Sequence, residues 1–124
     1  IVANHAKQFV VIVDTSKIVS KLGKFPLPVE IVQFGSEKTK DTVERLLIKL
    51  GYKTPKVIFR RSAINKYVTD QQNYILDLHL NEIPDPNLMY QELINIVGVV
   101  EVGLFIKMAS KIIVGDDDGS CRVI

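Results

Sequence analysis

The chain has 124 residues, 47% hydrophobic and 24% charged, enough apolar material for one buried core and unlike the composition of a disordered segment. Sixteen basic against 14 acidic residues leave a net charge of +2 scattered along the chain, with no basic stripe of the kind that tracks a phosphate backbone, so nucleic acid is not implied. The lone Cys121 excludes an internal disulfide, no apolar run approaches the roughly 18 residues of a membrane span, and the start lacks a signal-peptide layout, so the expected location is cytoplasmic.

Residues 1–8 read as the end of a helix feeding the unbroken apolar run at 9–13. Such a run predicts a strand covered on both faces, and Asp14, Thr15, Ser16 and Lys17 then follow its carboxyl end, where open α/β sheets bind ligands. A strand of that kind has parallel neighbours reached through crossover helices; few are present, so the chain is expected to begin in mid-domain. A proline-bearing linker at 25–28 precedes a strand at 29–34. Ser36 is the expected N-cap of a helix whose apolar positions are Val43, Leu46, Leu47 and Leu50, with Gly51 as its stop.

A strand is predicted at 56–60. A turn over 68–73 leads into another strand, in which Tyr74, Leu76, Leu78 and Leu80 alternate with Ile75, Asp77 and His79. Asp85 followed by Pro86 marks a helix start, Met89, Leu93 and Ile96 form its apolar stripe, and Gly98 ends it before a strand at 99–106. The order from 29 to 106 is β-α-β-β-α-β, a ferredoxin-like arrangement that reads as an insertion. The strand at 9–13 and the apolar stretches 111–114 and 121–124 are left to pair with each other and with whatever precedes the chain. The expected fold class is thus α/β, the C-terminal part of a doubly wound (Rossmann-like) domain at 1–28 and 107–124, carrying a ferredoxin-like subdomain at 29–106.

Few residues qualify for chemistry. Lys17, on a turn after a strand, is placed to meet an anionic ligand, although by residue type alone it reads as a solvated lysine. Asp14 and Ser16 have local backbone capping as their ordinary role. The run Asp116, Asp117, Asp118, Gly119 lacks the alternation and the spaced glutamate of a calcium loop and reads as a solvated hairpin turn. His5 and His79 have no second ligand at metal spacing, and Cys121 reads as a packed, inert thiol. No metal, no cofactor and no glycine-rich phosphate loop is expected. On this pattern alone a ferredoxin-like small-molecule-binding, regulatory or oligomerisation module is open beside an enzyme.

Four stretches in order carry a resemblance: Asp14 to Lys17 with Leu22 to Glu30; Val68, Thr69, Asp70 and Asn73 with Ile75 to Asp77; Ile83 to Pro86; and Gly98 to Glu101 with Gly103 to Phe105. Together the chain resembles the C-terminal portion of type A ribose-5-phosphate isomerases, with an insertion around 59–66. The resemblance implies metal-free interconversion of ribose 5-phosphate and ribulose 5-phosphate through an enediolate, with a glutamate as general base. It places the family's substrate-contacting lysine on Lys17, reversing the bland reading. It also implies a phosphorylated pentose as partner and homodimers or homotetramers; no membrane partner is expected, since no apolar run is long enough to span one. The family's phosphate loop and base-bearing segment lie upstream of these residues, so the catalytic set within the chain is expected to be empty and the chain alone inactive. Glu30 and Glu101 read as solvated or cross-strand-paired carboxylates within strands, not as substitutes for the base.

Overall fold

The computed structural model describes residues 1–106 and 108–124; Lys107, the first residue of the expected second outer segment, lies outside them. Two compact units result, one from residues 1–20 with 105–124 and the other from residues 21–104.

In the first unit a short helix α1 (Val2–His5) precedes β1 (Val10–Asp14). β1 runs parallel to β8 (Lys111–Gly115), in register from Val10 opposite Lys111 to Asp14 opposite Gly115, and β9 (Cys121–Val123) returns antiparallel on the far side of β8. A single 3-10 turn, Thr15–Lys17, follows β1 directly. The run at 9–13 does form a strand, but within this chain it is not covered on both faces: Val11 and Val13 are half-buried, whereas Ile12 is 76% exposed. Among the described residues β8 is its one strand neighbour.

The second unit contains β2 (Leu27–Ile31), α2 (Ser36–Lys49), β3 (Lys56–Phe59), β4 (Arg61–Ser62), β5 (Asn65–Lys66), β6 (Tyr74–His79), α3 (Pro86–Ile94) and β7 (Val99–Val102). Four of its strands form an antiparallel sheet in the order β3-β6-β2-β7. In each β-α-β half the two strands are therefore separated by one strand of the other half, which is the ferredoxin-like arrangement. Period-two alternation sends Leu27, Val29 and Ile31 of β2 and Leu76 and Leu78 of β6 to one face. There they pack with Val43 and Leu47 of α2 and Met89 and Leu93 of α3 into one apolar core. The alternation expected from Tyr74 to Leu80 holds, and Asp85 accepts from the Leu88 N–H at 3.1 Å as the expected cap of α3.

Several boundaries differ from the sequence expectation. Leu27 and Pro28 belong to β2 rather than to a linker; Pro28 sits near the strand's start, where its carbonyl still accepts from the Gly103 N–H at 2.8 Å. Gly35, not Ser36, caps α2: it adopts a left-handed conformation, and Ser36 is the first helical residue, 8% exposed. The segment at 59–66 folds as the hairpin β4–β5, and its Lys66 ammonium lies 3.8 Å from the Phe59 ring centre and 3.3 Å from Glu37. Residues 21–28, which the sequence pattern groups with the outer segment, fall in the second unit because Leu22 bridges to Ile83 and Lys21 pairs with Glu82 at 3.3 Å.

Gly98, at the entry to β7, has φ of +100°, and a Cβ there would lie 2.6 Å from the Thr39 hydroxyl of α2. Gly119 also has positive φ, but a Cβ would meet nothing within 4 Å. Gly98→Ala is therefore expected to lower stability to urea by more than Gly119→Ala, by an increment of about 1 kcal/mol or greater, since it adds a collision to the shared backbone strain. Equal losses would show that Thr39 moves aside at no cost.

Candidate functional site

The first unit positions Lys17 through two sets of contacts. Locally, the Asp14 carboxylate accepts from the Ser16 N–H at 2.9 Å and from the Ser16 hydroxyl, so the turn starts as a capped helix end. These hydrogen bonds, the hydroxyl's first, hold the Asp14 carboxyl below its ordinary pKa against a smaller opposing desolvation, and the Lys17 charge acts in the same direction. At long range, the Thr15 hydroxyl lies 2.7 Å from Asp116 Oδ1 and 3.1 Å from the Gly115 carbonyl. Asp116 Oδ2 in turn lies 3.5 Å from Arg122 Nε on β9.

The turn thus leaves the sheet at the carboxyl ends of two parallel strands, beside the β8–β9 loop. That loop is a closed hairpin: the Asp116 N–H donates to the Ser120 carbonyl at 2.9 Å, and Asp118 accepts from the Ser120 N–H and hydroxyl at 2.9 and 2.6 Å. The acidic run is a hairpin turn as expected, but Asp116 is engaged rather than merely solvated. The contact between Thr15 and Asp116 spans 101 residues, and no local pattern announces it; an aspartate beginning a hairpin loop after an apolar strand is the one hint the sequence offers.

The remaining candidates are taken up elsewhere in the fold. Glu30 accepts from the Thr69 hydroxyl at 2.9 Å and the Asn73 amide at 3.1 Å, which ties the 68–73 turn to the sheet. Glu101 faces Glu30 across β2–β7 and accepts from its neighbour's Val102 N–H at 2.9 Å and from the Tyr90 hydroxyl at 3.3 Å. Cys121 is exposed, contrary to the packed thiol expected. Among the described residues no three His, Cys, Asp or Glu side chains cluster as metal ligands. Among the described residues, the second unit carries at least two concavities. One is a groove of about 530 Å³ between α2 and the 95–97 loop, which Arg45 and Lys49 line; the other is an apolar hollow of about 220 Å³ beside Tyr52.

The sequence model of the ribose 5-phosphate isomerase A (phosphoriboisomerase A) family matches residues 1–119. Ribose-5-phosphate isomerase A of Limosilactobacillus reuteri is 48% identical over 119 residues, which cover 96% of this chain and 49% of that protein. Ribose 5-phosphate isomerase from Plasmodium falciparum superposes with a TM-score of 0.88 at 29% identity, over 99% of this chain and 52% of its own. A D-ribose-5-phosphate isomerase solved in complex with phospho-erythronic acid gives 0.82 at 32% identity, over 98% and 51%. The chain spans about half the length of the curated relatives it matches.

Because the folded pKa of Asp14 is depressed, its contribution to stability is present above the unfolded value and is lost as pH falls through the folded one. Ser16→Ala removes the largest cause of the depression. It is expected to raise the Asp14 carboxyl midpoint toward the ordinary value in an NMR pH titration; an unmoved midpoint would assign the depression to the remaining contacts.

Proposed function

The chain belongs to the ribose 5-phosphate isomerase A family, and we propose that within the complete protein it forms the C-terminal part of an enzyme interconverting ribose 5-phosphate and ribulose 5-phosphate. In this reading the outer segments, residues 1–20 and 105–124 in the structure, belong to the doubly wound catalytic domain, and the unit between them, residues 21–104, is a subdomain inserted into it. The observation that carries the reading is the placement of Lys17, which stands at the carboxyl end of a parallel strand pair on a turn held from two sides. The resemblance assigns a substrate-contacting lysine to that position.

The reaction moves a proton between adjacent carbons and passes through an enediolate, so it needs a carboxylate base and groups that stabilise developing negative charge. Lys17 supplies a cation for an oxygen of the sugar phosphate. Its compact ammonium on a long stem suits an oxyanion without fixing a bidentate geometry. The base is a glutamate outside these 124 residues. Glu30 and Glu101 are committed to Thr69 and Asn73 and to Tyr90 and Val102, which supports that assignment. The ligand named for one similar structure, phospho-erythronic acid, is a phosphorylated sugar acid and agrees with the substrate class.

Exposed strand β1 has a natural cover in the remainder of a protein twice this length. As the family of soluble sugar-phosphate enzymes supports, we place the protein in the cytoplasm; no helix among the described residues is long and apolar enough to cross a membrane. Homodimers or homotetramers complete the reading, supported by Phe34 and Val97, 93% and 94% exposed, on adjoining loops at one end of the four-stranded sheet. The family match runs through both units, so nothing favours a free-standing regulatory module over the enzyme.

Lys17→Ala in the complete protein is expected to lower kcat/KM for ribulose 5-phosphate formation on the order of a hundredfold, the scale for removing one stabiliser of developing charge. Unchanged kinetics would demote Lys17 to a surface charge, and an inactive complete protein would overturn the isomerase itself. The 124-residue chain assayed by itself is expected to show no turnover; turnover free of contaminating enzyme would place the base within it.

A further inference from the structure

We propose that Thr15 and Asp116 are positioning residues for Lys17, with Arg122 holding Asp116 in place, so that the β8–β9 hairpin sets where the lysine meets its substrate. This rests on the isomerase reading of Lys17 above. A hydroxyl has a single proton to donate, and of its two acceptors the Asp116 carboxylate is the nearer, at 2.7 Å against 3.1 Å for the Gly115 carbonyl. The carboxylate is charged, so its bond to Thr15 is the stronger of the two.

Asp116 is itself restrained on three sides. Its N–H donates to the Ser120 carbonyl at 2.9 Å, its carbonyl accepts from the Gly119 N–H at 3.0 Å, and its second carboxylate oxygen meets Arg122 at 3.5 Å. The Asp14 cap, by contrast, reaches only two residues along the chain and shapes the turn without tying it to another strand. The Thr15 side chain provides that tie, two residues before Lys17. Arg122 has a second consequence. Its charge offsets that of Asp116, which would otherwise face an incoming phosphate beside Lys17 with an unbalanced negative charge.

The test is a double-mutant cycle on the complete protein, read by steady-state isomerisation of ribose 5-phosphate. Thr15→Val, which keeps the shape and removes the donor, is expected to lower kcat/KM about fivefold, as one hydrogen bond of about 1 kcal/mol allows. The loss should divide between KM and kcat as it does for Lys17→Ala. Thr15→Ser should restore the wild-type values. In a Lys17→Ala background Thr15→Val should cost nothing further, because the residue it positions is gone. An equal loss in both backgrounds would show that Thr15 acts on the fold at large and would overturn the proposal.

A second readout needs no activity. The Ile18 N–H donates to the Thr15 carbonyl at 3.1 Å and closes the turn. Its hydrogen exchange should quicken about fivefold in Thr15→Val and in Asp116→Ala, for the same single bond. Unchanged exchange in both variants would overturn the clamp even if the complete protein proved to catalyse another reaction. Quickened exchange with no isomerase activity would leave the clamp standing and remove the isomerase reading instead.

Discussion

The in-register parallel pairing of β1 with β8 is the constraint on which the candidate site depends. It joins Val10–Asp14 to Lys111–Gly115 across nearly the whole chain and fixes which residues leave the sheet together: Thr15 on one strand and Asp116 on the other. A register slip of one residue would invert the faces of the short ladder and part those two side chains. Closing so long an excursion costs only a logarithm of its length in entropy. Here residues 21–104 also carry a sheet and core of their own, so the closure does not have to order a long coil.

That inserted unit owes its autonomy to β2 and β6, the two central strands. Val29, Ile31, Leu76 and Leu78 are wholly inaccessible, and the helices laid on them contribute Val43, Leu47 and Leu93, equally buried. The opposite face is held by polar pairs. Arg60 forks onto the Asp77 carboxylate at 3.0 and 2.7 Å, and Glu30 gathers the 68–73 turn through Thr69 and Asn73. Glu30 and Glu101 oppose each other across β2–β7, an arrangement that like charges disfavour. Each has donors of its own, which offset that repulsion.

What was legible in the sequence is what depends on period and local chemistry. The alternation from Tyr74 to Leu80, the Asp85–Pro86 helix start and the β-α-β-β-α-β order are all properties of neighbouring residues, and the structure carries them. Sequence pattern favours Ser36 as the cap of α2, because a serine before an apolar run has the right chemistry, yet Gly35 takes the left-handed turn that the chain needs one residue earlier. The strand at 9–13 is real, but its burial is a property of what covers it and not of its own side chains. At the candidate site the sequence pointed to Lys17 through its place after a strand and through resemblance. It was silent on Thr15 and Asp116, since their contact follows from a ladder register that no short-range pattern encodes.

The same contacts bear on how a lysine can serve an anion in so acidic a neighbourhood. Asp14, Asp116, Asp117 and Asp118 all lie on the turn and the loop that follow the paired strands, and any of them could compete with a phosphate for the Lys17 ammonium. Three also accept from donors of their own: Asp14 from Ser16, Asp116 from Thr15 beside the Arg122 charge, and Asp118 from Ser120. A carboxylate that accepts hydrogen bonds from its own donors has part of its charge stabilised and its lone pairs occupied, so it attracts a passing cation less than a bare one does. On the isomerase reading, a phosphorylated sugar, with more charge than any one of these carboxylates, is then the stronger attraction for Lys17. On that reading the hydrogen bonds that shape the turn also lower the competition at its cation, so one set of side chains would serve both the geometry of the site and its preference for an anionic ligand.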